Sequence, residues 1–108
     1  MKVHIIGGGN LGVSIALGLS KFSSDNQVTI TRRNTASIQY LEKLGTTVST
    51  NNIHQIQEAD VIILTIKPYQ VDAVLAEILP VISNKIIASA VSGLSIENLQ
   101  NKIGDANT

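Results

Sequence analysis

Residues 3–12 read VHIIGGGNLG, and this stretch decides the fold of the chain. Its apolar first half predicts a β-strand, and the glycines that follow predict a tight turn into a helix. Gly7, Gly9 and Gly12 have the spacing G-x-G-x-x-G of dinucleotide-binding turns. In such turns the first glycine makes the sharp exit, the second leaves room for a pyrophosphate, and the third lets the helix pack closely. Glycine-rich turns also occur without a ligand, so the surrounding strand and helix carry much of the argument.

The composition predicts one globular domain with an aliphatic core. The chain has 108 residues, of which 44% are hydrophobic and only 3% aromatic. Such a core suits a buried parallel sheet built from Ile, Val, Leu and Ala. Eight basic residues balance eight acidic ones, so we expect neither nucleic acid nor membrane as a partner. We expect the chain to be cytoplasmic, since it begins with a strand and not with a signal sequence.

The sequence predicts no metal site. It contains no cysteine, and its two histidines, His4 and His54, are far apart without ligand spacing. We expect His4 to be a packed or edge-facing strand residue and His54 to lie on a turn. Asp60 is expected to be structural, and Tyr40 and Tyr69 to be surface or packing residues of helices.

Predicted strands and helices alternate along the chain. The N-cap of the second helix is Asn34 or Thr35, Gly45 and Pro80 end two helices, Gly93 ends the last strand, and Ser95 caps the last helix. The whole of residues 1–108 is expected to form one doubly wound parallel sheet, a Rossmann-type α/β domain with three layers. We predict strands at 2–7, 27–31, 46–49, 60–66 and 85–90, helices at 10–22, 35–44, 69–79 and 96–103, and a loop or short helix at 51–58.

The end of the second strand predicts the choice of cofactor. NAD-binding sheets usually carry Asp or Glu there to bind the ribose hydroxyls. Residues 31–34 instead read TRRN, and an arginine can hold a 2′-phosphate through charge-assisted hydrogen bonds. We therefore predict NADP(H) over NAD(H). Either Arg32 or Arg33 can be the phosphate ligand, one of them can stack on the adenine, and both can also be solvated loop charges.

Two further segments are expected beside the far half of the cofactor. In doubly wound sheets the ligand lies outside the carboxyl ends of the strands. Residues 65–68 and 90–93 follow the fourth and fifth strands. The backbone carbonyls of Ile66 or Lys67 could bond the nicotinamide amide, although Lys67 can equally be an exposed lysine at a strand end. The complete predicted cofactor set is Gly7, Gly8, Gly9, Asn10, Leu11, Gly12, Thr31, Arg32, Arg33, Asn34, Asn52, Thr65, Ile66, Lys67, Pro68, Ala90 and Ser92.

Together these segments resemble the N-terminal domain of pyrroline-5-carboxylate reductase over nearly the whole chain. That family reduces 1-pyrroline-5-carboxylate to L-proline by hydride transfer from a nicotinamide cofactor, in proline biosynthesis. The resemblance implies cofactor contacts by residues 7–12, 31–34, 52 and 65–68. Two departures from the family touch the nicotinamide side: AVSG at 90–93, where the family commonly has Ala-Ala-Gly, and Thr65, where it often has Ala. The matching segments are IIGGGNLG (5–12), LG (44–45), Asn52, ADVIIL (59–64), IKP (66–68) and SGLSIENL (92–99).

The resemblance also implies what this chain lacks. Family members continue into a helical domain that dimerises and carries most substrate-binding residues, and we expect that domain to be absent here. We accordingly predict no catalytic residue in this chain, and a homo-oligomer only with the missing domain. Two alternatives stay open: the NADP-binding domain of another reductase, of the beta-hydroxyacid dehydrogenase, prephenate dehydrogenase or deazaflavin-dependent NADP reductase type, and a non-catalytic nucleotide-sensing module.

Overall fold

Five parallel strands form a single sheet, which confirms the predicted fold class. The structure, a computed structural model, describes residues 1–7, 9–22, 26–53, 56–82, 85–91 and 96–103. The strand order is β3-β2-β1-β4-β5, so the chain reverses direction across the sheet between β1 and β4. The strands are β1 (Lys2–Ile6), β2 (Gln27–Thr31), β3 (Thr47–Ser49), β4 (Val61–Leu64) and β5 (Ile86–Ser89).

Helical segments connect the strands. Two of the three α-helices have the predicted bounds, and the third is shorter and is flanked by 3₁₀ turns. The α-helices are α1 (Asn10–Phe22), α2 (Val71–Ile78) and α3 (Ile96–Ile103), and the 3₁₀ segments are Ala36–Leu44, Ile56–Glu58, Pro68–Gln70 and Leu79–Val81. The predicted strand end at Gly93, helix cap at Ser95 and turn position of His54 lie outside the described residues.

The second predicted helix is a nine-residue 3₁₀ segment, Ala36–Leu44, and not an α-helix. Thr35 is its N-cap residue, but the side-chain bond comes from Asn34, whose Oδ1 accepts the N–H of Ala36 at 3.0 Å. Gly45 ends the segment as predicted, with a left-handed φ of 92°.

The predicted bounds of β1, β3, β4, α2 and β5 are each wrong by one or two residues at one end or both. The ladder of β4 is shorter than residues 60–66, although its hydrogen bonds to β1 continue at both ends. The N–H of Asp60 donates to Lys2 O, and the N–H of Thr65 donates to Ile6 O. Helix α2 ends at Ile78, and Pro80, which has no N–H to donate, sits in the following 3₁₀ turn.

Two apolar clusters cover the two faces of the sheet and give the predicted three layers. Alternate residues of β1 divide between them: Val3 and Ile5 belong to one cluster and Ile6 to the other. On the first face Ala16 of α1 packs together with the buried residues of the 3₁₀ segment 36–44. The second face is covered by α2 and by Leu99 of α3. The central strands are therefore covered on both faces, although Ile86 of the edge strand β5 is 62% exposed, and the carboxyl edge of the sheet is the place for a ligand.

Close backbone packing explains two of the three motif glycines. Gly7 has φ = 104°, and a Cβ there would lie 2.9 Å from Thr65 O. A Cβ on Gly12 would lie 2.2 Å from Gly7 O and 2.8 Å from Thr65 Oγ1. Helix α1, the turn and the end of β4 thus meet at one point with no space for a side chain.

We predict that Gly12→Ala destabilises the chain, although alanine is the better helix former. The methyl group would collide with backbone at Gly7, and overpacking of this kind costs about 1–3 kcal/mol. Gly18→Ala, in the same helix, is the matched control, because a Cβ there meets no atom within 4 Å. That variant should gain about 0.5–1 kcal/mol from helix propensity. Urea unfolding of both variants checks the pair, and equal stability changes of the same sign would contradict the packing argument.

Candidate functional site

A cleft of about 900 Å³ opens at the carboxyl ends of β1, β2 and β4. Its volume lies in the range of small-molecule sites, about 300–1,000 Å³. The cleft lies where the sheet reverses its strand order, as expected for a doubly wound fold. The site predicted from sequence therefore corresponds to a real concavity on the described part of the chain.

Many of the predicted cofactor residues line this cleft. They come from four separate segments, which are the glycine turn, the end of β2, the loop after β3 and the end of β4. The predicted residues in its wall are Gly7, Gly9, Thr31, Arg32, Arg33, Asn52, Thr65, Ile66 and Lys67.

Other predicted residues lie outside that wall. Gly12 packs closely against the backbone of Gly7, and Asn34 Oδ1 accepts the N–H of Ala36. Pro68 begins a 3₁₀ turn, and the N–H of Ala90 extends the β4–β5 ladder to Leu64 O. Two more residues, Asn10 and Leu11, form the first turn of α1, whereas Gly8 and Ser92 lie outside the described residues.

The sequence analysis missed one whole wall of the cleft. Helix α2 and the turn before it contribute residues at helical spacing, so this face could have been found from the periodicity that follows β4. Tyr69 is a surface residue as predicted, 84% exposed, and it also lines the cleft. The lining residues that were not predicted are Ile6, Thr50, Asn51, Tyr69, Gln70, Ala73, Val74 and Glu77.

The glycine turn leaves open space at Gly9. A Cβ on Gly9 would meet no atom of the other described residues within 4 Å, so packing among them does not require glycine there. The space that a side chain would fill is open and belongs to the cleft. Val13 N donates to Gly9 O, which starts the hydrogen bonds of α1. The preceding N–H groups of this helix therefore have no intrahelical acceptor and can face an anion.

The end of β2 brings cationic side chains to the cleft. Both Arg32 and Arg33 are exposed, and both line it. Arg32 Nη1 donates to Ser37 Oγ at 3.1 Å, and its backbone N–H donates to Ser49 O at 3.1 Å. With Lys67, the described wall carries three cationic side chains against the single carboxylate of Glu77. This excess of positive charge suits an anionic ligand.

Two buried residues form hydrogen bonds to the loop after β3. Thr31 Oγ1 donates to Asn52 Oδ1 at 2.7 Å, and His4 Nε2 lies 2.7 Å from the backbone oxygen of Asn52. The prediction that His4 is a packed strand residue is confirmed, because only 1% of it is exposed. Asp60 is structural as predicted, since its Oδ2 accepts the N–H of Lys2 at 2.8 Å.

The end of β4 is tied to the glycine turn. Thr65 Oγ1 donates to Gly7 O at 2.5 Å and lies 3.2 Å from Ile6 O. Its hydroxyl is therefore used within the protein. Next along the wall, Lys67 N donates to Gln70 Oε1 at 2.9 Å, and Gln70 N donates to Lys67 O at 2.9 Å. These bonds close the turn and fix the backbone of the segment that was expected beside the nicotinamide.

Two other kinds of site are absent from the described ranges. Among these residues no helix has the length and apolar character needed to cross a membrane. The same part of the chain holds no cluster of three or more His, Cys, Asp or Glu side chains that could bind a metal ion.

The chain is similar in sequence to known pyrroline-5-carboxylate reductases. The chain is 38% identical over 104 residues to pyrroline-5-carboxylate reductase 1 of Dictyostelium discoideum, covering 94% of this chain and 19% of that protein. It is 32% identical over 106 residues to pyrroline-5-carboxylate reductase 2 of the same organism, covering 94% of this chain and 36% of that protein. Each match spans well under half of the relative.

A solved structure extends the similarity to three dimensions. The pyrroline-5-carboxylate reductase of Coxiella burnetii is 28% identical and superposes with a TM-score of 0.86, over 97% of this chain and 40% of that one. The resemblance to the N-terminal domain of these reductases and the Rossmann-type fold are therefore both confirmed.

A family model also matches this chain across the glycine turn, all five strands and the cleft. The match covers residues 2–93, and the family is described as NADP oxidoreductase, coenzyme F420-dependent. The chain belongs to this family.

Proposed function

We propose that this chain binds NADP(H) and forms the cofactor half of a pyrroline-5-carboxylate reductase. One observation carries the proposal: the open space at Gly9 and the side chains of Arg32 and Arg33 lie in the same cleft. The glycine turn would take the diphosphate, and the arginines would take the 2′-phosphate of the ribose. The 38% identity to a Dictyostelium pyrroline-5-carboxylate reductase supports the choice of reaction.

In this assignment the protein positions the cofactor and the cofactor supplies the hydride. Nicotinamide chemistry would reduce the C=N bond of 1-pyrroline-5-carboxylate to give L-proline. The role of this chain is to fix the dinucleotide through its backbone turn, its cationic wall and the loop that carries Asn52. Backbone groups at Ile66 and Lys67 line the cleft and are our candidates for holding the nicotinamide amide.

The substrate and the oligomer belong, in this proposal, to a part of the protein that the chain does not include. The chain spans 19% and 36% of the two Dictyostelium relatives and 40% of the Coxiella chain. We assign residues 1–108 to the cofactor domain, and we place substrate binding and dimerisation outside these residues.

A second candidate function follows from the description of the matching family. That description favours an NADP reductase dependent on coenzyme F420. Both candidates use the same cofactor cleft, so the described residues do not separate them. Assaying the longest natural polypeptide that contains this chain, with 1-pyrroline-5-carboxylate and with oxidised F420 as alternative acceptors for NADPH, separates the two.

We predict that the isolated chain binds NADPH and forms no proline. Its cleft provides contacts for the cofactor, and we place the substrate contacts outside the chain. The measurement is NADPH oxidation in the presence of 1-pyrroline-5-carboxylate, with proline quantified directly. Turnover by this chain alone would show that the substrate site lies within residues 1–108.

We also predict that the two arginines set the preference for NADPH over NADH. Arg32→Gln/Arg33→Gln should weaken NADPH binding about ten- to a hundredfold, because charge-assisted bonds of this kind contribute about 1.5–3 kcal/mol. NADH, which lacks the 2′-phosphate, is the matched control ligand, and its affinity should stay within about twofold of the wild-type value. Isothermal titration with both ligands, on the double and single variants, also shows which arginine holds the phosphate. Equal losses for the two ligands would refute the assignment.

A further inference from the structure

Two buried polar side chains lie under the cleft at positions where a sheet normally carries apolar residues. His4, in the middle of β1, is 1% exposed, and Thr31, at the end of β2, is 0% exposed. Among the described residues the only other buried polar side chain is that of Thr46. Burying a polar group costs free energy unless it makes hydrogen bonds, so each such residue calls for a reason.

Both side chains bond to the same residue of the loop after β3. Thr31 Oγ1 donates to the side-chain Oδ1 of Asn52, and His4 Nε2 lies 2.7 Å from the backbone oxygen of Asn52. A carbonyl oxygen can only accept a hydrogen bond, so Nε2 of His4 carries the proton. Adjacent strands therefore hold Asn52 at its backbone and at its side chain simultaneously.

Local bonds hold the rest of this loop. Ser49 Oγ accepts the N–H of Asn51 at 3.0 Å, and Asn51 Oδ1 accepts the N–H of Ile53 at 3.0 Å. Oδ1 of Asn52 already accepts one bond from Thr31, whereas the amide NH₂ takes part in none of these bonds and offers two donors. Asn52 lines the cleft, and an amide NH₂ is a double donor suited to ribose or phosphate oxygens.

We propose that His4 is a positioning residue for the dinucleotide, which acts through Asn52 and never touches the ligand. The proposal rests on the proposed function, in which the cleft binds NADP(H). The imidazole holds the backbone of Asn52, and the hydroxyl of Thr31 holds its side-chain oxygen. Together they keep the amide donors of Asn52 in place before the ligand arrives, which lowers the ordering cost of binding.

The test compares NADPH affinity in wild-type chain, His4→Phe and His4→Gln by isothermal titration. Phenylalanine fills the buried site without a donor, whereas the glutamine amide can donate near the place of Nε2. His4→Phe should bind NADPH about three- to tenfold more weakly, the effect of losing one hydrogen bond of this type. His4→Gln should recover most of the affinity. Thermal unfolding of each variant confirms that it is folded before titration.

A double-mutant cycle separates positioning from a general loss of structure. In an Asn52→Ala background the amide donors are gone, so adding His4→Phe should change NADPH affinity by less than about 1.5-fold. Thr31→Val tests the hydrogen bond from Thr31 to the side chain of Asn52, with Thr31→Ser as its control. This pair replaces His4→Phe if that variant does not fold. Valine should weaken NADPH binding about three- to tenfold, and serine should leave it near the wild-type value.

Two results would overturn the role of His4 while leaving the proposed function intact. One is wild-type affinity in a folded His4→Phe variant or, where that variant does not fold, in Thr31→Val. The other is an undiminished effect of His4→Phe in the Asn52→Ala background, which would assign the loss to the fold as a whole. A wild-type chain that binds no NADPH would refute both proposals, and this outcome is seen in the first titration before any variant is made.

Discussion

The carbonyl group of Gly7 is the point on which the rest of the structure depends. Its oxygen accepts the hydroxyl of Thr65 at 2.5 Å, and it lies so close to Gly12 that a Cβ there would be 2.2 Å away. The end of β1, the start of α1 and the end of β4 are thereby brought together. Because β4 pairs with β1 on the side opposite to β2, this junction also fixes where the sheet reverses its order. The cleft opens above that place.

The three motif glycines serve two different needs. Packing within the protein explains Gly7, with its positive φ and its contact to Thr65, and also Gly12. It does not explain Gly9, above which the space is open. A glycine required by a ligand and not by the fold is expected where a backbone must approach a phosphate. The cationic wall around Arg32 and Arg33 is the second feature that points to an anion.

The sequence predicted the architecture well because β-branched runs and glycine spacing are local signals. The bounds of α1, β2 and α3 agree with their predicted ranges. It did not predict the 3₁₀ form of residues 36–44, because apolar side chains three residues apart also occur on one face of an α-helix. The buried pair there, Ile38 and Leu41, is three residues apart, the period of a 3₁₀ helix.

The site was predicted less completely, for a physical reason. Motif residues follow strand ends and could be placed by topology alone. The wall formed by Gln70, Ala73 and Glu77 depends on how α2 packs against the sheet, and the link between His4 and Asn52 joins residues 48 positions apart. Tertiary packing decides both. The sequence analysis correctly predicted that His4 is packed, but the reason for its burial appears only in the hydrogen bond.

The central claim is that the open space at Gly9 exists for a diphosphate, and Gly9→Ala tests it most directly. The measurement pairs urea unfolding with titration of both NADPH and NADH. We predict stability within about 0.5 kcal/mol of the wild-type chain, because the added Cβ meets no atom within 4 Å in the part of the chain that the structure describes. We also predict at least about tenfold weaker binding of both dinucleotides, since both carry the diphosphate. Unchanged affinity in a folded Gly9→Ala variant would contradict the account.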